Sequence, residues 1–499
     1  MTSITLLLAL PALTVAVLTA APLRDRAARW IGVAGSGATF AAATVLAARF
    51  DYGRAGRMQD VVNVRWLPAI DVRFHLGVDG ISLPLVLLTA LLTFLCAVYT
   101  LCGAERIDRP RSFLALMMLL EVGVLGTFVA LDLIVFFVFF EVVLIPMYFL
   151  IASWGGAGRS AAATKFILFT LLGSGLMLVG FLVLYAQAGT FDITVLSREH
   201  GSGVSAGAQL IAFVLLLVGF GIKSPMWPLH TWLPDAHTEA PTVGSVLLAG
   251  VLLKMGTYGL IRIAVGAAPD GARRAAPALG VLAAIGIVYA ALACLALARS
   301  GDLKRLIAFS SVGHMGFVLL GIATLTPVGI QGALIGNIAH GLITGLLFFL
   351  VGAVKDRFHT SQISKLGGGL LAKAPALGGL LLFASIASLG LPGLAGFWGE
   401  MLAMLGAWSP AAALSRPLFL VLMAVAGVGT VLTALYFVAM LRRVDFGVVT
   451  DHWREGVIAD AVPGELVAWV PLITLAVAVG LWPRLVLGVT DAAVHGLFP

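Results

Sequence analysis

The stretch from Leu133 to Ile151, "LIVFFVFFEVVLIPMYFLI", carries a single charge, and runs of this kind recur along the whole chain. They constrain the fold more than any other feature. A bilayer core about 30 Å thick is crossed by about 20 apolar residues in a helix rising 1.5 Å per residue. Within that core every backbone N–H and C=O must be bonded inside the protein, which leaves helices or a closed barrel. Barrel strands alternate apolar and polar residues over about ten positions, whereas these runs are continuous and longer. The sequence therefore predicts an all-α polytopic membrane protein.

Composition agrees. Of 499 residues, 60% are hydrophobic and 11% charged, and mean hydropathy is +1.06. A soluble domain carries about a quarter charged residues. By length we predict about 14 transmembrane helices, at 4–22, 29–48, 80–102, 112–131, 133–152, 163–187, 207–228, 241–264, 275–297, 304–323, 328–354, 375–406, 417–441 and 466–488. The first lacks a basic leader and reads as a retained span, not a cleaved signal. The longest polar stretches are Arg49–Asp79, Gln187–Gly207 and Arg442–Glu465, and no separate soluble domain is evident.

The net charge of +7 could suggest nucleic acid, but the basic residues are scattered over short loops, as membrane topology requires. Loops after odd-numbered spans hold eighteen of the 31 Lys and Arg, including Arg24, Arg26, Arg29, Arg106, Arg109, Arg111, Lys355, Arg357, Lys365 and Lys373. Loops after even-numbered spans and the tail hold eleven. The positive-inside rule then puts the odd loops in the cytoplasm and both termini outside. Cys96, Cys102 and Cys294 form no Cys-x-x-Cys pattern, so no iron–sulfur or zinc framework is expected.

Two spans are interrupted: at Lys223–Pro225–Pro228, and in "SLGLPGLAGFWGE", Ser388 to Glu400. Grouping the spans gives residues 1–111 with spans one to three, 112–264 with spans four to eight, 275–441 with spans nine to thirteen, and 442–499 with span fourteen. The breaks then fall in the fourth helix of each five-helix unit. An odd number of helices starts the second unit on the other side of the membrane, so the expectation is two inverted five-helix repeats, each containing a broken helix. In secondary transporters such matched breaks point to an ion site.

Ionisable residues inside spans normally pair or face water, because burying a charge in lipid costs at least a few kcal/mol. Glu141, Lys223, Lys254, His314, His340 and Glu400 all fall in or beside apolar runs, as does Glu121. Each could be a structural ion pair, a snorkelling side chain or, for histidine, an ordinary core hydrogen bonder. Together, carboxylate, ammonium and imidazole can load and release protons near neutral pH. Backbone groups freed by the prolines suit a hydrated path. Lys304 and Arg305, at a span end, read as topology charges. His230, Asp235, His237 and Glu239 look like metal ligands, but their spacing fits no His-Glu-x-x-His pattern. A polar cytoplasmic mouth is the simpler reading, and no metal is expected.

"PLHTWLPDAHTEAPTVGSVLLAGVLLKMGTYGLIR", with "FEVVLIPMYFLIASWGG", "DLKRLIAFSSVGHMGFVLLG" and "LPGLAGFWGEM", resembles the antiporter-like subunits of respiratory complex I over essentially the whole chain. Glu400 stands where sister subunits usually carry a lysine, which is similar to one branch of that family. The resemblance implies fourteen spans in inverted units and protons moved from the cytoplasm to the outside. It implies that NADH oxidation and quinone reduction in other subunits drive this movement. It implies Glu141 and Lys223 as a coupling pair, Lys254 as the central carrier, His314 and His340 as relays, and Glu400 as the terminal carrier. Glu121 matches no family motif. The flavin and iron–sulfur clusters would sit in partner subunits, with no cofactor and no redox site in this chain. The expected partners are other membrane-arm subunits, sister antiporter-like chains included, and lipid. The expected location is multi-pass in a bacterial cell (inner) membrane. Alternatives are a subunit of a Mrp-type cation/proton antiporter, a hydrogenase-linked paralogue, or a passive membrane scaffold.

Overall fold

The structure is a computed structural model that describes residues 2–103, 107–447, 449 and 458–498, so Arg106 lies outside it. Among the described residues, 13 helices are long and apolar enough to cross a membrane. They are Ser3–Ala20, Asp25–Arg49, Ser82–Leu101, Pro110–Val129, Leu133–Trp154, Arg159–Ala188, Ala206–Lys223, Thr242–Val265, Pro269–Ser300, Leu303–Ala323, Pro327–Phe358, Arg416–Val444 and Pro463–Leu481. The remaining expected span, 375–406, is two shorter helices, Pro375–Ala387 and Ala395–Trp408. The chain is a multi-pass membrane protein of helical fold.

Both expected breaks are real, and each is held by an indole. Ala206–Lys223 ends at Lys223, ahead of Pro225 and Pro228, which cannot donate backbone hydrogen bonds. Trp232 Nε1 donates to Ile222 O at 2.9 Å, filling a carbonyl the helix end would leave open. At the second break, Trp398 Nε1 donates to Gly480 O at 2.8 Å. A third interruption was not expected. The Glu141 span divides at Val143 into Leu133–Val142 and Leu144–Trp154. Pro146 explains it, since it lacks the N–H that would bond the carbonyl four residues back.

The fourteenth expected span is shorter than 466–488. It stops at Leu481, and after Pro483 a separate helix, Arg484–His495, begins. Among the described residues the polar stretch 49–79 contains the one sheet, an antiparallel ribbon of Gln59–Leu67 and Val72–Val78, with Asn63 opposite His75. We call the end of the molecule that carries this ribbon and Arg484–His495 the hairpin face. The opposite end carries Trp232–Glu239 and Ile363–Leu366.

Burial picks out the centre. In their apolar windows, Thr242–Val265 is 100% buried and Pro327–Phe358 is 94% buried, against 28% for Arg416–Val444. A helix apolar on all sides belongs inside the bundle. These two helices carry Lys254 and His340. Thr242–Val265 is irregular: Leu248–Leu252 and Leu260–Val265 are π-helical on either side of the Lys254 turn. Such segments leave carbonyls out of the regular ladder and recur at functional sites.

Candidate functional site

Small residues bring the site together. Pro327–Phe358 and Ala395–Trp408 approach closely: a Cβ on Gly399 would lie 2.6 Å from Gly336 Cα, and one on Gly406 2.9 Å from Gly329 Cα. Packing through small residues is how helices associate where no hydrophobic drive exists between them. His340 lies one turn beyond Gly336, and Glu400 follows Gly399.

The result is a line of polar groups. Lys254, fully buried, places Nζ 2.6 Å from His340 Nδ1 and donates a second bond to Ala249 O, in the π-helical segment. His340 Nε2 has no hydrogen-bond partner. Its ring centroid is 5.8 Å from that of His314. Between and beside these rings is a cavity of ≈ 30 Å³ open to water centres, lined also by Thr344, Ser388 and Glu400. That is room for about two waters, with enough polar partners to hold them. His314 Nε2 lies 2.9 Å from Ser388 Oγ, and its Nδ1 lies 3.4 Å from Glu400 Oε1. Thr430 Oγ1 donates to Glu400 Oε2 at 3.2 Å. Gly390, at φ +72°, approaches the same carboxylate so closely that a Cβ there would lie 2.8 Å from Oε2.

Of the six expected site residues, Lys254, His340, His314 and Glu400 thus form one line. Glu141 and Lys223 are apart from it. Their charges act on each other, but no ion pair within 4.0 Å joins them. Glu141 Oε1 is buried with no hydrogen-bond partner, and Lys223 Nζ stands 5.1 Å from the Phe140 ring centroid and 5.9 Å from that of Phe166. Lys223 Nζ has no hydrogen-bond partner. The next residue, Ser224, is buried with a free hydroxyl, and Gly256 packs directly against it. Glu121 is buried with neither oxygen bonded.

Four groups were missed or misread from sequence. Ser388 and Thr430, which hold His314 and Glu400, are undistinguished in the sequence, although Ser388 begins the broken segment. His237, read as part of an open mouth, is fully buried, stacked on Phe348 at 4.4 Å between centroids, and within the field of both Lys304 and Lys254. Lys304, read as a topology charge, is buried and donates to Ala240 O. Asp235 is the true mouth residue, 2.7 Å from Lys165 and 3.3 Å from Arg305. Among the described residues no group of three His, Cys, Asp or Glu could hold a metal.

Residues 130–433, which contain the whole line, match the family described as NADH:quinone oxidoreductase/Mrp antiporter, TM. The chain belongs to this family. Within the NADH:quinone oxidoreductase/Mrp antiporter family, it is similar to NADH-quinone oxidoreductase subunit M of Rhodobacter capsulatus. The two are 40% identical over 93% of this chain and 89% of that one. A chain of respiratory complex I from Thermus thermophilus has the same fold, with TM-score 0.86, 31% identity, and coverage of 99% of this chain and 100% of that one. A chain of the Mrp complex from Dietzia sp. reaches TM-score 0.85 at 24% identity, covering 99% of this chain and 97% of that one. At that identity the likeness speaks for the fold alone. The sequence likeness lies on the quinone-oxidoreductase side, with subunit M.

Proposed function

We propose that this chain is a proton-translocating, antiporter-like membrane subunit of an NADH-quinone oxidoreductase of the complex I type. NADH oxidation and quinone reduction take place in other subunits, which also hold the flavin and iron–sulfur clusters. The observation that carries this reading is the polar line inside the bundle from Lys254 to His340 and, across a small cavity, to His314 and Glu400. A scaffold has no use for it, since each such group costs stability in lipid.

The residues divide the work as follows. Lys254 in its charged form donates to Ala249 O and to His340 Nδ1, so His340 is neutral and carries its proton on Nε2. Transfer from Lys254 to Nδ1 releases the Nε2 proton toward the small cavity. Water there passes it to His314, whose Nε2 is held by Ser388 and whose Nδ1 faces Glu400. Glu400 lies in the half of its span nearest the hairpin face, where the proton leaves. His237, between Lys304 and Lys254, supplies Lys254 from the opposite end. Glu141 sets the charge state of Lys223 by moving toward or away from it across the Val143 kink.

The direction follows from basic-loop bias, which makes the hairpin face the outer one. Arg357 is too engaged to report on it, since it bonds Glu465 at 2.8 Å and Asp460 O at 2.9 Å. A cysteine at exposed Lys373 should react with an impermeant thiol reagent only from the cytoplasmic side.

Lys254→Arg tests the central step. A guanidinium keeps the charge but almost never gives up its proton. Lysine ordinarily holds its proton about 4 pKa units more tightly than imidazole, and arginine at least about 6. The transfer should slow by roughly 100-fold or more. Proton pumping per NADH oxidised should fall in the assembled complex, and full pumping would overturn the role. A Mrp-type subunit would instead copurify without NADH-oxidising partners.

A further inference from the structure

The hairpin face holds a cavity of ≈ 560 Å³, open to water, that the proton path does not use. Its rim carries the exposed side chains of Arg57 and Arg198. Its floor is Arg262 and Asp79, 5% and 1% exposed. Arg262 Nη2 meets Asp79 Oδ2 at 2.5 Å, while Arg262 Nε is buried with no hydrogen-bond partner. The second oxygen of Asp79 is spent on Ile81 N, Ser82 N and Ser82 Oγ. His75, also in the wall, is held by Asp192 at 3.0 Å.

Asp79 is thus paired with Arg262, and the oxygens of Asp192 are engaged by His75, Thr194 and Val195. The charges left facing the cavity are the two rim guanidiniums, above the Arg262–Asp79 pair. Low-dielectric walls lined by one sign of charge concentrate the opposite ion. A guanidinium is planar, permanently charged and matched in geometry to phosphate oxygens. Ser197 adds a hydroxyl to the same wall.

We propose that this cavity binds a phosphate-bearing anion, either the headgroup of an anionic phospholipid or free phosphate. The rim guanidiniums give the attraction and the donors, with the Ser197 hydroxyl beside them. The proposal does not depend on which face is outside.

The test uses the assembled complex in nanodiscs. One arm uses phosphatidylcholine discs titrated with inorganic phosphate and followed by calorimetry. The other uses discs containing phosphatidylglycerol, with lipid retained by the complex counted by native mass spectrometry. Arg57→Gln with Arg198→Gln alters only the exposed rim. Arg54→Gln with Arg65→Gln removes the same charge from the hairpin region outside the cavity. We expect the rim variant to weaken binding about tenfold in one arm, as loss of a charged hydrogen bond does, and the control to leave it unchanged. A loss confined to the phosphate arm assigns a soluble anion, and one confined to the lipid arm assigns a headgroup. Absence of binding in both arms, or an equal loss in the control, overturns the site.

Discussion

Glu400→Gln keeps the shape of the side chain and removes its charge. His314 Nδ1 lies 3.4 Å from Glu400 Oε1. At an effective dielectric of about 20, opposite charges at that distance attract by about 5 kcal/mol. Water in the adjoining cavity will screen part of this, so about half is a fair working figure. Even half of that attraction is lost to a positive charge arriving on the path when the carboxylate becomes an amide. The amide still accepts from Thr430 and still fits against Gly390, so packing and assembly should survive. We expect NADH oxidation with an artificial acceptor to be unchanged. Quinone-linked pumping in proteoliposomes, followed by a pH-sensitive dye, should fall at least tenfold per turnover. Full pumping by an assembled Glu400→Gln complex would refute the assignment of Glu400 as terminal carrier. Loss of pumping that tracked loss of the assembled complex would make the residue structural.

Further outcomes follow from the same geometry. Gly390→Ala places a Cβ 2.8 Å from Glu400 Oε2 at φ +72°. It should cost about 1–2 kcal/mol of stability and impair pumping more than a surface change of equal cost, measured as pumping against thermal midpoint. Glu121→Leu removes a buried carboxyl whose oxygens have no partner, so the thermal midpoint should rise and turnover should not change. Reduced turnover in the intact complex would bring Glu121 into the path. Asp445, just past the end of Arg416–Val444, is pushed up to about 7 by burial. The folded chain then keeps this proton where the unfolded chain has lost it, so stability falls as pH rises from about 4 to 7, at about 1.4 kcal/mol per unit. Asp445→Asn should flatten that decline in a series of melts across this range, and a parallel decline would exclude the group.

Much of the site was legible because charge in lipid is rare and conspicuous. Lys254, His340, His314 and Glu400 stand out in apolar runs for that reason, and the prolines at 225, 228 and 392 announce the breaks. What the sequence hid is chiefly what depends on long-range packing. Ser388 and Thr430 are ordinary hydroxyls until a fold sets them against His314 and Glu400. Lys304 begins its helix, as a topology charge would, yet a neighbouring carbonyl and the turn of Trp232–Glu239 enclose it. The π-helical segments lie in a helix whose Gly250, Gly256 and Gly259 are approached closely by Leu92, Ser224 and Phe220, and no local periodicity reveals them. The ribbon at 59–78 lay in a polar stretch whose inward residue, His75, is bonded to an aspartate 117 positions away.

The two five-helix units expected from the sequence can be compared through their least conspicuous contacts. Asp132, at the start of the second helix of the first unit, bridges to Asp192 after the third. Leu133 N bonds Phe191 O, and Ile193 N bonds Leu131 O. Asp302, at the start of the second helix of the second unit, bridges to Gln362 after the third. Leu303 N bonds Ser361 O, and Ile363 N bonds Gly301 O. In each segment a threonine two residues earlier accepts from the bridging N–H. The first bridge adjoins the hairpin face and the second the opposite face, as an inverted repeat would require. On that reading Lys254 has a particular place. It belongs to the last helix of the first unit, yet its partner His340 belongs to the third helix of the second. On the proposed path the proton would change units at this one bond. Lys254 Nζ also donates to Ala249 O, within the π-helical turn Leu248–Leu252. On the proposed path Lys254 would hold its charge at the seam between the expected units until His340 takes the proton.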